Sequence, residues 1–440
     1  MAKSDMVLSR RRFLKAALGA VGVPYVIGSS VFGANAPGNR ITVGCIGVGR
    51  MGMGDLTDIM GRQGVQVVAV CDVDSKRMEN AKKVVEAKYA AAKSGGTYKG
   101  CDTYGDFREL IARPDIDMVQ VVTPDHWHAL PAIAAARAGK DIFVQKPMTL
   151  TLEEGRILSD TVARYGRVLQ VGSQQRSDTR FRFACELVRN GRIGRLKTVK
   201  VGLPTDPPGK TYPTMPVPPE LNYDMWVGPA PWAEYTEERV HPRGNLDRPG
   251  WLRVCDYCLG MITAWGSHHL DIAQWGMGTE LTGPVEIEGK GEFPTDGLWD
   301  VHGRFRVEYT YANGVTLTCA DGGKNKAGVL FEGTEGWVFV DRGKIDAEPK
   351  SLLRSVIKPD EIHLYVSNHH KQNLVDCIRS RRETIAPVEI GHRSCSVGIL
   401  GYIAMRLERK LKWDPQRERF TDDDAGNRML SRSMRGPWHV

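Results

Sequence analysis

The stretch Arg40-Ile41-Thr42-Val43-Gly44-Cys45-Ile46, continued by Gly47-Val48-Gly49-Arg50-Met51-Gly52, decides how the rest of this 440-residue chain is read. Its first half is a short apolar run of strand-forming residues. Its second half is Gly-x-Gly-x-x-Gly, leading directly into a helical pattern. A dinucleotide needs that order for physical reasons. Gly47 permits the tight turn out of the strand, Gly49 lets a pyrophosphate approach the backbone, and Gly52 lets helix and strand pack closely. The free N–H groups of the helix N-terminus face the phosphates, with Arg50 and Met51 among the residues around them. Glycines alone are weak support. A second strand, Val65 to Cys71, ends at Asp72, about 20 residues past the last glycine, where a carboxylate accepts hydrogen bonds from an adenosine ribose. The charge of Asp72 repels a 2′-phosphate and so favours NAD, while Lys76 and Arg77 keep NADP as the less favoured cofactor.

Helical and strand patterns alternate from there. Asp106 to Ala112 reads as helix, Met118 to Val122 as strand, Trp127 to Ala138 as helix and Asp141 to Val144 as strand, which predicts a doubly wound parallel sheet. The pattern changes at about Ser173. A helix over Thr179 to Val188 and a strand over Lys197 to Gly202 precede a Pro-rich loop, Leu203 to Pro219. Short alternating strands follow at Val285 to Gly289, Gly303 to Tyr311, Val315 to Ala320 and Trp337 to Val340, with turn signals such as Asn313-Gly314 between them. Turns that short join antiparallel neighbours. The predicted fold class is therefore α/β: an N-terminal Rossmann doubly wound parallel sheet over 38–172, then a C-terminal α+β domain with a mostly antiparallel open sheet over 173–415. A helix is expected over His369 to Arg379, and residues 416–440 are polar and basic enough for a tail or an arm to a neighbouring subunit.

At the other end, Ser9-Arg10-Arg11-Arg12-Phe13-Leu14-Lys15 precedes an apolar, Ala- and Gly-rich run from Ala16 to about Phe32. Residues 1–36 thus read as an export leader that resembles the twin-arginine signal. That route carries folded proteins, which suits a chain that takes up its nucleotide first, and the expected destination is the periplasm. Ala34-Asn35-Ala36 fits a signal-peptidase site, but Pro37 directly after it hinders cleavage, and an uncleaved leader would tether the protein to the membrane. The same segment explains half of the net charge of +8, through Lys3, Arg10, Arg11, Arg12 and Lys15 against Asp5. The remaining charge is spread without a basic cluster interleaved with aromatics, so no nucleic-acid partner is expected. The hydrophobic content of 41% is ordinary for a soluble globular chain, and no stretch after the leader is apolar enough to span a bilayer. Of the nine cysteines, Cys45 and Cys71 sit in strands as small buried residues. Cys255 and Cys258 have metal-ligand spacing, but no second pair follows, and no metal is expected.

Several later segments go together. Val122-Thr123-Pro124-Asp125-His126-Trp127-His128 and Gln145-Lys146-Pro147 each follow a strand, and Trp265-Gly266-Ser267-His268-His269-Leu270-Asp271 comes far beyond them. With Val171-Gly172-Ser173-Gln174-Gln175-Arg176 and Gly228-Pro229-Ala230-Pro231-Trp232, they resemble the glucose-fructose oxidoreductase, inositol dehydrogenase and MocA (Gfo/Idh/MocA) family over nearly the whole mature chain. The resemblance implies that Thr123, Pro124, His128, Gln145 and Lys146 join the glycine loop and Asp72 around the cofactor. It also implies Lys146 and His268 as the catalytic pair. Lys146 follows a strand end on the same edge as the glycine loop, so its ammonium faces the nicotinamide and polarises or protonates the reacting oxygen. Gln145 stands where relatives commonly carry Glu. The family aspartate, four residues before the histidine, is Ala264 here, which leaves His268 without the carboxylate that orients it. His269, Asp271, Asp256 and Tyr257 are open substitutes. His126 and His128 flank Trp127 as metal ligands would, but the plainer reading makes Asp125 the cap of the helix behind it. Tyr223, Trp226, Trp232, Trp251 and Trp265 suit sugar stacking and a domain interface equally. Arg176, Trp232 and His269 are candidate substrate contacts, with Asn373 a further polar one.

The expected activity is hydride transfer between tightly held NAD and a ring hydroxyl of a sugar, glycoside or cyclitol, by a homo-oligomer. A periplasmic enzyme has no free nicotinamide pool, so the cofactor is retained and recycled. Recycling proceeds through a second sugar or through a redox-neutral cycle in which transient oxidation permits glycoside cleavage, the chemistry of the family's NAD-dependent α-N-acetylgalactosaminidases. The rival of another class is a nucleotide-loaded sugar-binding protein without turnover, for which Ala264 speaks.

Overall fold

Valine and isoleucine fill the N-terminal strands because helices cover both faces of their sheet. The computed structural model describes residues 40–92, 96–241 and 250–440, so the expected leader lies outside the described residues. Strands β1 (Ile41–Ile46), β2 (Val65–Cys71), β3 (Asp102–Tyr104), β4 (Met118–Val121), β5 (Asp141–Val144) and β6 (Leu169–Val171) form a parallel sheet in the order β3-β2-β1-β4-β5-β6. The order reverses between β1 and β4, and a crevice opens beyond the carboxyl ends of these two strands. The glycine loop leads into the helix Arg50–Met60 on one side of it.

On the other side, the helix expected from Trp127 starts later. Asp125–Trp127 is a 3-10 turn, and the helix runs over Ala129–Arg137. Asp125 is not its cap. The turn closes through the backbone, His128 N–H to Asp125 O at 3.2 Å, and the buried Oδ2 of Asp125 is left without a hydrogen bond.

The second sheet contains β7 (Leu196–Leu203), β8 (Glu286–Gly291), β9 (Phe305–Thr310), β10 (Thr316–Asp321), β11 (Gly328–Gly333), β12 (Trp337–Asp341), β13 (Lys344–Glu348), β14 (Leu411–Asp414) and β15 (Arg419–Phe420). Their order is β13-β12-β11-β7-β10-β9-β8-β14-β15. Neighbours are antiparallel except β7 and β10, which run parallel. In β9, Phe305, Val307 and Tyr309 point inward and Arg306 and Glu308 outward, the alternation of a half-buried strand. Helices Thr179–Arg189, Gly266–Met277 and Val388–Leu407 pack against this sheet.

Two helices bind the sheets together. Val388–Leu407 approaches both because it is lined with glycines: a Cβ on Gly391 would lie 2.4 Å from Val171 in β6, and one on Gly401 would lie 2.1 Å from the Tyr309 hydroxyl. Helix His370–Ser380 returns to the first sheet and adds Leu374, Val375 and Ile378 to a core with Val43, Val67 and Phe143. The segment 416–440, expected as a tail or an arm, runs back over its own chain. Arg435 donates to the Gly228 carbonyl at 3.0 Å and to Asp224 at 2.7 Å, and Trp438 packs edge-on against Trp127 at 4.8 Å. Partial burial of Trp438 and the Arg435 bonds hold it there. No helix of the described residues is long and apolar enough to cross a membrane.

Candidate active site

The loops after β1 and β4 meet in backbone contact. Gly47 has φ 80°, and a Cβ on it would lie 2.5 Å from the Val122 carbonyl oxygen. A Cβ on Gly52 would lie 2.0 Å from the Gly47 carbonyl oxygen, so helix and turn touch without room for a methyl group. Asp72 is held against this loop: Oδ2 accepts the Val48 N–H at 2.8 Å and Oδ1 the Asp74 N–H at 3.0 Å. Burial raises its pKa, opposed by those two N–H groups and by Arg77. Each oxygen keeps a lone pair for a ribose hydroxyl. Lys76 turns away to Glu220, 2.5 Å distant, whereas Arg77 stays in the wall. The resulting cavity has a volume of about 560 Å³. Its lining includes every residue expected around the cofactor: Gly47, Gly49, Arg50, Met51, Gly52 and Asp72, then Thr123, Pro124, His128, Gln145 and Lys146. A backbone cradle at a helix N-terminus, with a carboxylate at the far end, fits NAD.

A second cavity of about 480 Å³ adjoins it, and Met51, Gln145, Lys146 and Trp265 line both. Lys146 is thus the cation where the two meet. Its Nζ donates to the Ala264 carbonyl at 3.1 Å, at the very residue where relatives place a carboxylate. Burial lowers its pKa, opposed by Asp125. His268 lines the second cavity, and its Nδ1 has no partner. Burial first, then Lys146 and Arg342, hold its pKa well below the usual range, so the imidazole is neutral. The backbone of Lys146 is fixed from behind. Its N–H reaches Gln145 Oε1 at 3.0 Å, and Gln145 Nε2 donates to Asp55 at 2.8 Å. Asp55 also pairs with the buried Lys371 at 3.0 Å. With a carboxylate already at Asp55, an amide at position 145 supplies the N–H that the family glutamate lacks.

His128 lines the cavity as wall and not as a hydrogen-bond partner for a cofactor. Its ring nitrogens face the Pro147 carbonyl at 2.6 Å and the Thr123 carbonyl at 2.8 Å, and the one N–H of the neutral ring donates to one of these two carbonyls between the loops after β4 and β5. Burial holds its pKa down at about 4. The expected substrate contacts are placed elsewhere, and none of the three lines either cavity. Arg176 is buried and spent on a bidentate pair with Asp271, at 2.7 and 2.8 Å, and on Glu280 at 2.8 Å. His269 lies between the Gly202 carbonyl, 3.4 Å, and Asp341, 3.5 Å. Trp232 sits under Arg435, whose Cζ is 5.6 Å from its ring centre. Asn373 bonds Tyr365 and the Ile385 N–H.

The substitutes considered for the missing aspartate, His269, Asp271, Asp256 and Tyr257, are likewise absent from both linings. Asp125 is present. It is 2% exposed, lines the first cavity with Lys146, and has its pKa pushed up to about 7 by burial, opposed by Lys146. Its sequence signal was position: it follows the end of β4 at the switch point, where ligands bind. Gln175 and Arg342, in the second cavity, carried no such signal. Cys255 and Cys258 have separate partners, the carbonyls of Asp300 at 3.3 Å and Gly260 at 3.9 Å.

The chain is similar to known proteins over both halves. Residues 41–173 match a family model described as oxidoreductase family, NAD-binding Rossmann fold, and residues 208–440 match one described as oxidoreductase family, C-terminal alpha/beta domain. A glycosyl hydrolase family 109 protein of Shewanella amazonensis is 35% identical over 170 residues, 35% of this chain and 36% of that protein. An alpha-N-acetylgalactosaminidase of Shewanella oneidensis is 32% identical over 209 residues, 43% of this chain and 44% of that protein. The matched region thus spans less than half the length of these curated relatives. Among solved structures, an aldose-aldose oxidoreductase from Caulobacter crescentus, complexed with glycerol, aligns over 85% of this chain and 99% of its own, with a TM-score of 0.61 and 20% identity. The WlbA dehydrogenase from Bordetella pertussis, in complex with NADH and UDP-GlcNAcA, aligns over 85% and 98%, with a TM-score of 0.62 and 17% identity. At that identity these two show the shared fold. Family models over both halves, on a glycine cradle and lysine set as the motifs require, place this chain in the Gfo/Idh/MocA oxidoreductase family, with an NAD-binding Rossmann domain at its N-terminus.

Proposed function

We propose that the chain moves a hydride between tightly held NAD and a ring hydroxyl of a sugar, glycoside or cyclitol. The observation that carries this reading is Lys146, the cation in the wall shared by the dinucleotide cradle and the cavity of His268. NAD, when bound, supplies the acceptor for the C–H hydride. The O–H proton is left to the chain. Lys146, whose charged form burial disfavours, exchanges that proton with the oxygen as it becomes a carbonyl, and Asp125 beside it balances the charge. His268, neutral and with Nδ1 unpartnered, is a hydrogen-bond partner for a hydroxyl on the substrate side.

A redox-neutral variant, oxidation followed by loss of a glycosidic group and re-reduction, is supported by the similarity to family 109 glycosyl hydrolases. The run Ser9-Arg10-Arg11-Arg12-Phe13-Leu14-Lys15 supports export by the twin-arginine route to the periplasm, and with it a retained cofactor. We also infer a homo-oligomer, supported by the family resemblance. The deciding experiment takes protein purified after export, releases its nucleotide, and records absorbance and mass before and after a panel of glycosides. NAD that becomes NADH with one sugar supports the oxidoreductase, and cleaved glycoside with NAD unchanged supports the redox-neutral cycle. Sugar binding with neither product supports a binding protein without turnover, and protein carrying no nucleotide overturns the retained-cofactor reading.

A further inference from the structure

We propose that the second cavity takes a carbohydrate bearing a carboxylate, and that Arg342 receives it. The inference rests on the proposed function only in taking this cavity as the substrate site. Arg342 stands at the tip of the β12–β13 hairpin, where Asp341 pairs with Lys344, and lines the mouth of the cavity. Its guanidinium lies over the Trp265 ring, with Cζ 4.7 Å from the ring centre. No described residue gives that guanidinium a hydrogen bond or an ion pair. The nearest carboxylate along the chain, Asp341, turns Oδ1 to the Arg342 backbone N–H at 2.7 Å and lies 3.5 Å from His269 Nε2.

Asp341 offsets part of this charge through space, and the rest of the wall adds no free carboxylate. Asp178 is the one carboxylate among the described lining residues, and it is spent on Arg180 at 2.9 Å. Lys146 rests on a carbonyl, not on an acid. Besides the Asp178–Arg180 pair, two cations, Lys146 and Arg342, therefore share the cavity, and Arg342 disfavours the charged forms of both Lys146 and His268. An anion between them relieves that repulsion, and a planar guanidinium binds a carboxylate through two parallel N–H donors. The remaining wall asks for hydroxyl groups. Gln175 is 4% exposed, and neither its Oε1 nor its Nε2 has a partner. His268 Nδ1 is also unpartnered, and the indole of Trp265 closes one side. A ring with hydroxyls toward Gln175 and a carboxylate toward the hairpin meets all of these groups. A neutral ring offers the Arg342 guanidinium no anion.

The test is calorimetric titration of the full-length, NAD-loaded protein with methyl β-D-glucuronide, methyl β-D-galacturonide and their neutral glucoside and galactoside counterparts. One of the uronides should bind at least about tenfold more tightly than its neutral counterpart, and the preference should shrink as salt is raised. Arg342→Gln should abolish the preference and Arg342→Lys should keep part of it, with unchanged melting temperatures showing that both variants fold. Equal binding of charged and neutral sugars, binding of neither, or a preference that survives Arg342→Gln overturns the proposal. Nicotinamide reduction is read separately in the same samples. A uronide that binds through Arg342 without reducing NAD upholds this inference and counts against hydride transfer; a neutral sugar that reduces NAD does the reverse.

Discussion

The two cavities share Lys146 and are built by opposite means. Backbone makes the phosphate and ribose end of the first: Gly47, Gly49 and Gly52 stand where a Cβ would meet another atom within 3 Å, and the Val48 and Asp74 N–H groups set the carboxylate of Asp72. Side chains make the second, and Gln175, Trp265, His268 and Arg342 reach it from distant points of the chain. A backbone site recognises what is common to its ligands, phosphate and ribose, and tolerates almost no substitution. A side-chain site changes its ligand by changing residues. The departures from the family pattern, Gln145 and Ala264, accordingly fall away from the glycine cradle and Asp72, at the Lys146 end of the first cavity.

Substitutions at the shared wall test whether the division is real. Lys146→Met should lower hydride transfer by about 10²–10⁴-fold, the range for removing a positioned proton-transfer group. NAD affinity should stay within about threefold, because a backbone cradle does not depend on that ammonium. Stopped-flow reduction and equilibrium dialysis read the two quantities, and a parallel loss of both would show one site instead of two. Gly52→Ala makes the reverse separation. Its methyl group would sit 2.0 Å from the Gly47 carbonyl oxygen, so the turn must move and NAD affinity should fall by about tenfold or more, equivalent to about 1.4 kcal/mol. Calorimetry should find sugar binding in the second cavity unchanged.

The same contrast governs what was legible in the sequence. Glycine spacing followed by an acid at the end of the next strand is a local pattern, and the glycine cradle with Asp72 follows from it, whereas Thr123, Pro124, His128, Gln145 and Lys146 come from the family resemblance. Strand β11, Gly328–Gly333, went unread because it begins and ends in glycine between turn-forming residues. Helix Val388–Leu407 went unread for a different reason. It is buried on nearly every side, so its apolar residues have no 3.6-residue period to detect. Arg176 shows how a polar residue in a family-like segment misleads: charge and neighbourhood suggested a ligand contact, and only the fold reveals Asp271 on the other side of it. Arg342 misleads the opposite way, since an arginine before glycine in a hairpin reads as solvent-facing decoration.

Gln145→Glu sharpens the comparison at smaller scale. It would place a carboxylate where an amide N–H now meets Asp55 at 2.8 Å, and two buried like charges cannot both ionise without cost. Lys371, 3.0 Å from Asp55, compensates part of this. Thermal unfolding should show a loss of about 1–3 kcal/mol at neutral pH that diminishes under acid, where one carboxyl is protonated. An unchanged melting temperature would mean that the network behind Lys146 already tolerates the family residue.

The last expected effect concerns Asp125, and its sign can be worked out. The carboxyl has a folded pKa raised to about 7 by burial, against about 3.9 in an unfolded chain. Between those values the folded protein keeps a proton that the unfolded chain has released, so stability falls as pH rises through that window and is level on either side. Asp125→Asn removes the titration, so the melting temperature of the variant relative to the parent should climb by a few degrees from pH 4 to pH 8. Lys146 opposes the raised pKa, so in a Lys146→Met background the upper edge of the window should move to higher pH. A pH profile that Asn leaves unaltered would remove Asp125 as the partner of Lys146. A window that responds to Lys146 shows that the two share one proton balance, with Asp125 as the carboxylate that faces the Lys146 ammonium.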